Sequence, residues 1–467
     1  MSSTNSIQLQ SETAPKNGYL GGGSESVVFP LPKLNSAAIR SFILRLLLDI
    51  QERFIAQLNE IIEAVAFKAL EARWRALQEL VWHKGHAHSV KIKVLDLNWE
   101  ELAEDLHYAG EVRRSALAQI LGKRELDTFG GEPYGLLVVD HSLSFDLHTD
   151  YDEIYTAELL CDLGATSMCP IIMNVAEDFL GESDAQWYTD TKRIKNILQS
   201  KEYSSWRRLR ESSNARFLGL ALPHHQIRGR YEDLDLESGF RFHQRPTDSS
   251  GLWGGAAVCF AQTAINEFSE RAWFGFLKLI TNEFGSGAVL APHAAPAPQG
   301  TTSTLRSRVR FTRAVSRFYS EEGFIPLAES TKTNQLYFVG NRSVVNCAGI
   351  PQKEVLTQLQ SMMIACRLVH YIKIQIRSLI GSTNTIKECE TRLNKFLQTY
   401  TSTASMYTSE LQSRYPLRSA RVEVSGDTLF NTRFRCKIFI EPQYQIDHVL
   451  GEICLETDLQ IPQGVAA

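Results

Sequence analysis

Two continuous apolar runs constrain the fold of this chain more than any other feature. Tyr134–Asp140 reads YGLLVVD and Arg216–Leu222 reads RFLGLAL. Runs of this kind are typical of strands that are buried on both faces of a sheet. Between them, helical periodicity covers Tyr151–Leu163 and Thr191–Glu211. Strands and helices in this alternation predict an α/β fold, with a mostly parallel or mixed sheet core that is flanked by helices.

Segments on either side of this core extend the prediction to the whole chain. Apolar residues recur at three-to-four spacing from Ala37 to Trp82, which predicts two helices with a break near Phe67. Further strands are predicted at Val90–Leu97, Pro170–Val175, Trp273–Ile280, Ala420–Ser425, Arg433–Ile440 and Gln445–Leu459, and long helices at Lys353–Ile380 and Thr385–Leu411. We expect a flexible N-terminal arm at 1–35, a helical region at 36–88, an α/β core at 89–340 and a C-terminal domain at 341–467.

Composition excludes several classes of protein. The chain has 467 residues, of which 43% are hydrophobic, and its formal net charge is −4. A disordered chain would be poorer in apolar residues, and a protein that binds nucleic acid would usually be basic. We therefore expect a globular protein with no nucleic-acid partner. The near balance of 49 basic and 53 acidic residues allows copies to associate without strong long-range repulsion.

The N-terminal sequence and the cysteines indicate the compartment. No cationic segment followed by an apolar run is visible near the start, as a signal peptide requires. The apolar run Ile39–Ile50 is shorter than the ~20 residues that span a bilayer. The eight cysteines are scattered without a CxxC pair, which is typical of reduced thiols. We expect a cytoplasmic protein without membrane insertion.

Motifs of the common catalytic classes are missing from the sequence. It contains no GxxxxGK[ST], no GxGxxG after a strand, no GxSxG and no HExxH. We therefore expect no enzymatic activity and no cofactor. His83, His86 and His88 are spaced so that their rings could converge on a metal, but no cysteine or carboxylate adjoins them. A solvated loop is the favoured interpretation, and no metal site is predicted.

Three histidines at the ends of the apolar runs keep an enzyme open as the alternative. His141 follows the first run, and His224 and His225 follow the second. This alternative predicts a deep pocket at those strand ends, holding titratable groups with perturbed pKa values. A flat or partner-filled surface there would count against it.

The most basic stretch of the chain carries five arginines at nearly alternate positions. They are Arg306, Arg308, Arg310, Arg313 and Arg317. Binding of single-stranded nucleic acid needs a wider basic field and more aromatic side chains than this stretch offers. A charged protein interface and a plain solvated face both stay open.

One helix of the C-terminal region carries two stripes of opposite character. Ile364, Leu368, Ile372 and Ile376 recur every four residues and predict a core-facing side. A separate basic stripe consists of Arg367, His370, Lys373 and Arg377. We expect this basic stripe to face outwards, where it is either solvated or docked on an acidic partner.

The last strand-like run, Gln445–Leu459, closes the chain with little sequence beyond it to cover an edge. Exposed edges are templates for pairing with another chain. The apolar residues Ile446, Val449, Ile453 and Leu455 are therefore candidates for partner contacts by β-augmentation. Pairing within the chain is the open alternative.

Eight segments in order carry a resemblance that covers the chain from about residue 40 to its end. They read AQLNEIIEAVAFKALEARWRALQELV from Ala56, then VKIKVLDL, FGGEPYGLLVVD, WRRLRESSNARFLGLALP, LWGGAA, EGFIPL, HYIKIQIRSLIGS and RYPLRSARVEV. Together they resemble the TssC/VipB family, the large subunit of the contractile sheath of bacterial type VI secretion systems. The segments FGGEPYG and RYPLRxARVEV are the most specific.

The resemblance implies a structural protein with several partners. A smaller TssB/VipA-like sheath subunit would pack on the N-terminal helices, where Leu47, Phe54 and Leu58 lie. The terminal strands would join neighbouring copies in a shared sheet, and the basic stripe becomes a candidate for contact with the inner tube of Hcp-like rings. A baseplate is implied as well. Contraction of such a sheath drives the tube outwards.

One part of the chain departs from the family pattern. Many members carry an N-terminal amphipathic helix that is read by a AAA+ ATPase, which disassembles contracted sheaths. Residues 1–35 are rich in Gly, Ser and Pro and show no clear amphipathic helix, so recycling by that ATPase is in doubt here. A sheath protein of another contractile injection machine stays open as an alternative.

Overall fold

A computed structural model describes most of the chain. It covers residues 36–84, 89–145, 150–182, 185–232, 234–236, 240–246, 251–275, 277–278, 288–289, 306–330, 335–346, 351–379, 386–402, 415–426, 433–443 and 452–460. The predicted flexible arm at 1–35 lies outside the described residues, as do His86, His88, Ile446 and Val449.

The described helices include a pair near the start of the chain, a middle set that alternates with strands, and a second pair that precedes the last three strands. They are α1 (Ser36–Glu63), α2 (Val65–Lys84), α3 (Trp99–Tyr108), α4 (Glu153–Ser167), α5 (Ala185–Thr189), α6 (Thr191–Gln199), α7 (Ser204–Glu211), α8 (Ala256–Arg271), α9 (Arg313–Glu321), α10 (Leu359–Leu379) and α11 (Ile386–Gln398). Short helical turns of 3₁₀, α and π type connect α3 to the first strand over 112–124.

The strands form two main sheets and two short ribbons. They are β1 (Leu137–Leu143), β2 (Ile171–Val175), β3 (Leu218–Leu222), β4 (His225–Arg228), β5 (Leu234–Leu236), β6 (Phe240–Phe242), β7 (Leu252–Gly254), β8 (Ala288–Val289), β9 (Ile325–Glu329), β10 (Leu336–Phe338), β11 (Leu417–Gly426), β12 (Arg433–Pro442) and β13 (Ile453–Gln460). The larger sheet has the order β1-β2-β3-β9-β10-β8, and β11-β12-β13 form a separate sheet.

The larger sheet has the predicted mixed character. Strands β1, β2, β3 and β9 run parallel to one another, whereas β10 and β8 add antiparallel pairs at the far side. Every residue of β2 and β3 is buried, as predicted for the run Arg216–Leu222. The predicted α/β fold is therefore confirmed. The prediction that Tyr134–Asp140 is buried on both faces is wrong, because β1 is an edge strand of the sheet and only its Leu143 is buried.

Two hydrophobic cores cover the two faces of this sheet. Ile171 and Met173 of β2 point to one face, where α4 and α7 pack, whereas Ile172 points to the other face, where α8 and α10 pack. This alternation is the period-two pattern of a strand. Gly219 of β3 is required on the α10 face, because an added Cβ would lie 2.7 Å from Leu359 Cδ2 and 2.8 Å from Ile325 Cδ1.

The smaller sheet is antiparallel and packs on the last two helices. Its inward side chains include Val422, Ile438, Ile453 and Leu455, and they join the same core cluster as α10. Charged residues on the outward face pair across strands, as Lys437 does with Glu456 at 3.2 Å. The C-terminal strands thus form a sheet with one buried face.

Some local predictions are wrong. Val90–Leu97 belongs to no strand, although its alternating residues Val90 and Ile92 do pack against core clusters. The described residues of 273–280 form no strand, because Trp273 and Phe274 are buried against α8 and α10 as a turn. The break in the N-terminal helices falls at Ala64 and not at Phe67.

Candidate assembly surfaces

The N-terminal helices present an apolar face that the other described parts of the chain leave largely exposed, although Phe54 packs edge-on against Phe240. Asn59 is the only residue of α1 that is buried. Leu47 and Phe54 are each 55% exposed, and Leu58 is half-buried. The other exposed apolar residues of α1 and α2 include Ile43, Leu44, Leu48, Ile50, Ile61, Val65, Leu70, Trp74 and Val81. Such a continuous patch marks a surface for another protein.

Polar contacts hold these two helices on the rest of the molecule. The Arg228 guanidinium of β4 donates two hydrogen bonds of 2.7 Å to the Glu71 carboxylate of α2. Both side chains are largely buried, at 8% and 12% exposure. Arg75 donates a further 2.7 Å bond to Glu71. Nearer the N-terminus, the Asn59 amide accepts a hydrogen bond from the Arg245 backbone N–H at 2.8 Å.

The buried carboxylates of α2 respond to their neighbours in opposite ways. Burial alone would raise the pKa of Glu71, but the hydrogen bonds and charges of Arg228 and Arg75 hold that pKa below its usual value. Burial raises the pKa of Glu79 to about 7, since the hydrogen bond from Gln262 and the charge of Arg75 only partly oppose it. Glu79 lies where α2 packs on α8.

The smaller sheet ends in two edge strands, β11 and β13. Strand β13 pairs with β12 over Ile453–Gln460, so pairing within the chain does occur on one side. Ile453 and Leu455 are 0% and 1% exposed, and both belong to the core of the chain. The prediction that these two side chains bind a partner is therefore wrong, because the inward face of the strand covers α10.

The outward side of β13 borders a cleft of about 950 Å³. Cys454 and Glu456 line it from the strand, and Tyr155 and Asp162 line it from α4. Among the strands that the structure describes, only β12 pairs with β13, so the opposite edge of β13 has no partner strand there. The backbone of β13 therefore has one edge available for another strand.

The basic stripe of α10 faces inwards, which contradicts the prediction. The Lys373 ammonium donates a 2.7 Å hydrogen bond to Asp127, and Arg377 donates one of 2.9 Å to the Thr128 carbonyl. His370 Nε2 lies 2.9 Å from the Met168 carbonyl, and burial lowers the pKa of this histidine to about 4. The Arg367 guanidinium lies 4.2 Å from the ring centroid of Phe268.

The physical reason is that α10 is packed on nearly all sides. Among its side chains whose burial is described, only Ile374 is exposed. The carbonyl groups that follow the helical turns at 112–124 need donors, and the basic side chains of α10 supply them. A stripe of positive charge on a helix can thus satisfy a neighbouring segment as readily as an external partner.

The arginines at 306–317 are largely paired within the chain. Arg308 lies 3.3 Å from Glu177, Arg310 lies 3.0 Å from Glu329, and Arg317 lies 3.0 Å from Glu321. Arg306 and Arg313 are exposed. Pairing reduces the positive field that the sequence alone indicates.

The histidines at the strand ends take part in hydrogen bonds. His141 stacks on Trp99 with centroids 3.9 Å apart. His224 Nε2 lies 3.4 Å from Ser142 Oγ, and its Nδ1 lies 3.1 Å from Glu177 Oε1. The order of groups is that of a serine–histidine–carboxylate triad, although Arg308 shares the same Glu177 oxygen.

The surroundings of this group favour a structural role. The clefts of about 950 and 570 Å³ are both lined by other residues. The hydrogen bonds tie together the ends of β1, β2 and β3, which is a sufficient reason for the residues to be there. Desolvation lowers the pKa of the fully buried His225 to about 4, so this ring stays neutral near pH 7.

Two general properties of the described residues bear on earlier predictions. They contain no group of three or more His, Cys, Asp or Glu side chains placed to hold a metal ion. His83 lies in the last turn of α2, while His86 and His88 lie outside the described residues. No helix in the described part of the chain is both long and apolar enough to cross a bilayer.

Comparison with known families gives an independent assignment. The family described as the EvpB/VC_A0108 tail sheath N-terminal domain (VipB) matches residues 45–345, and the companion tail sheath gpW/gp25-like domain matches residues 351–459. The chain belongs to the TssC/VipB family of sheath large subunits. The resemblance to this family that the eight sequence segments indicate is thereby confirmed.

Three individual proteins are similar to this chain to different degrees. The chain is 26% identical over 443 residues to the type VI secretion system sheath protein TssC1 of Pseudomonas aeruginosa, covering 91% of this chain and 87% of that one. A chain of the anti-feeding prophage baseplate aligns with 10% identity and a TM-score of 0.35, covering 80% of each chain. A sheath tail protein of Desulfitobacterium hafniense aligns with 9% identity and a TM-score of 0.30, covering 66% of this chain and 60% of that one.

Proposed function

We propose that this VipB-family protein builds the contractile sheath of a type VI secretion system together with a smaller TssB/VipA-like subunit. The sheath surrounds an inner tube of Hcp-like rings, stands on a baseplate, and contracts to propel the tube. The observation that carries the proposal is the uncovered apolar face of α1 and α2. A chain that reaches this size and leaves such a face open is suited to obligate assembly.

The smaller subunit is assigned to that face. Leu47 and Phe54 lie seven residues apart, close to two helical turns, so they share one side of α1 and fit a partner helix. Burying an exposed Leu or Phe side chain completely stabilises a complex by about 1.5–3 kcal/mol. Several such residues on one face are sufficient for a stable interface.

Neighbouring copies are assigned to the smaller sheet. The unpaired edge of β13, beside its cleft, can accept a strand from an adjacent protomer by β-augmentation. The inward residues Ile453 and Leu455 keep the sheet attached to its own α10 while the edge is occupied. The inner-tube contact is not assigned to the basic stripe of α10, because that stripe is buried.

Contraction is assigned to the sheath interfaces. Two packings of the same protomers that differ in interface free energy would drive it without nucleotide. The near balance of 49 basic and 53 acidic residues is compatible with dense packing of copies in either state. Type VI secretion is preferred over another contractile injection machine because the relative that covers most of the chain is named for that system.

Co-expression with the smaller subunit tests the proposal. We expect the two proteins to co-purify and to form long tubules in negative-stain electron microscopy. The double variant Leu47→Glu/Phe54→Glu is expected to lose co-purification, since it places two charges on the docking face. The matched variant Leu47→Met/Phe54→Leu keeps that face apolar and should assemble. A wild-type chain that stays monomeric beside the smaller subunit would rule the function out.

A further inference from the structure

The connection between α2 and α3 contains eight residues whose backbone makes no hydrogen bond to another described residue. Val90–Leu97 reads VKIKVLDL and lies outside every sheet. Within the described parts of the chain, no hydrogen bond joins its backbone N–H or C=O groups to another residue. Unpaired backbone groups of this kind are a template for a strand from another molecule.

Side-chain contacts at the start of this segment alternate as they do in a strand. Val90 and Ile92 pack against core clusters, whereas Lys91 and Lys93 both form ion pairs with Glu132 on the other side. A period of two is the mark of extended backbone. The first half of the segment thus has the side-chain alternation of a strand, and it leads directly into Val94–Leu97.

Contacts at both ends fix the segment in place. The Lys93 ammonium also lies 3.3 Å from the Glu125 carboxylate. At the other end, Asn98 and Glu101 form a reciprocal capping box at the start of α3, with bonds of 2.7 and 3.1 Å. A segment that is ordered before binding loses little conformational entropy when a partner arrives.

The second half of the segment is exposed, and three of its four residues are apolar. Val94 is 67% exposed, Leu95 56% and Leu97 36%. A short run of exposed apolar residues with high β-propensity and no proline is a typical site of strand addition.

Charge around the segment indicates what the partner strand looks like. Asp96, Glu100 and Glu104 are exposed, and no ion pair joins them to another described residue. Both lysines are already occupied by glutamates. The complementary strand therefore carries lysine or arginine residues among its apolar ones. A second copy of the same segment would oppose acid to acid.

We propose that Val94–Leu97 pairs with a β-strand of the smaller sheath subunit, a strand in which apolar and basic residues alternate. This inference rests on the proposed function, because that function supplies the partner. It adds a second docking element to α1 and α2. The two elements adjoin, since Ile92 packs in the cluster that contains Ala76 and Leu80 of α2.

Hydrogen exchange in the co-expressed complex tests this pairing. We expect about half of the amides of Lys93–Leu97 to exchange about 100-fold more slowly in the complex than an unpaired strand does. Tubules that form while these amides exchange at the unprotected rate would overturn the pairing and leave the sheath function intact. Equal protection in the chain purified without the smaller subunit would point to a second copy and overturn the assigned partner.

A pair of variants measures the contribution of the exposed leucines. Leu95→Asp/Leu97→Asp should weaken binding of the smaller subunit by about 10- to 100-fold, because two apolar contacts are lost and acidic charge is added to an acidic surface. Leu95→Met/Leu97→Met should bind as the wild type does. Circular dichroism of both variants in the complex checks that the fold is kept. Equal binding by both variants would refute the inference.

Discussion

The ion pair between Arg228 and Glu71 allows a quantitative test of how the N-terminal helices are held. Removing one member of a buried, hydrogen-bonded pair typically destabilises a protein by about 3–5 kcal/mol, because the remaining charge loses its partner. In Arg228→Met, Glu71 keeps its 2.7 Å hydrogen bond from Arg75. A charge-assisted hydrogen bond contributes about 1.5–3 kcal/mol, which offsets part of the cost, so we expect a net loss of about 1.5–2 kcal/mol.

The double variant Arg228→Met/Glu71→Leu is the informative comparison. It removes both charges and replaces them with apolar groups of similar length, which is often neutral or stabilising at buried pairs. We expect it to be at least about 1 kcal/mol more stable than Arg228→Met. The residues are 8% and 12% exposed, so solvent screening reduces the coupling only slightly.

Urea unfolding of the four proteins of this mutant cycle gives the coupling free energy. Tryptophan fluorescence reports on the contact, since Trp74 lies on α2 and Trp253 on β7 beside β4. Because the folded-state pKa of Glu71 is lowered, the stabilisation should be present above about pH 4.5 and disappear as the pH falls further. Additive effects of the two substitutions, with no coupling, would refute this account of the attachment.

Three further substitutions test other parts of the structure. The stability of Glu79→Gln relative to the wild type should increase by about 2–3 kcal/mol as the pH rises from 5 to 8, because a folded-state pKa raised to about 7 makes ionisation of Glu79 unfavourable in the fold. An equal difference between the urea midpoints of the two proteins at both pH values would contradict this. Gly219→Ala should cost about 1–3 kcal/mol, visible as a lower Tm, since its Cβ would lie 2.7 Å from Leu359; Gly122→Ala, with its nearest atom at 3.9 Å, is the control and should not share the loss. Asp127→Asn should destabilise the protein by about 1–3 kcal/mol in chemical denaturation, because Lys373 is 6% exposed and loses its counter-ion. Lys373→Met should be nearly neutral. A larger loss of stability in Lys373→Met than in Asp127→Asn would show that the ion pair is unimportant.

Local sequence patterns were sufficient for the parts of the fold that local physics determines. The runs at Tyr134–Asp140 and Arg216–Leu222 predict parallel strands, and β1 and β3 are found there within a few residues. The predicted burial holds for β3 and fails for β1, because β1 lies at the edge of the sheet. Asn98, a residue type that favours the N-cap position, caps α3. The apolar faces of α1 and α2 follow from the same reasoning, because helix periodicity is visible in any window of the chain.

Predictions that depend on distant parts of the chain were less successful. Lys373 and Arg377 donate hydrogen bonds to residues 127 and 128, about 250 positions away, and no local sequence pattern indicates that contact. Ile453 and Leu455 show the alternation of an edge strand, but that alternation cannot tell whether the apolar side covers a partner or the chain's own helix. The Arg228–Glu71 pair, which holds the N-terminal helices, has no sequence signal for the same reason.

Helix α10 has a mechanical consequence in a protein whose family forms contractile sheaths. Its 21 residues extend over about 30 Å, and one core cluster includes both Ile172 of the larger sheet and Ile438 of the smaller sheet. In the proposed sheath, a pull on β13 by a neighbouring protomer would therefore reach the larger sheet through the close-packed side chains along this helix. Close packing of this kind deforms little under load. A displacement at β13 would then move the whole protomer instead of stretching the chain between the smaller sheet and the larger sheet.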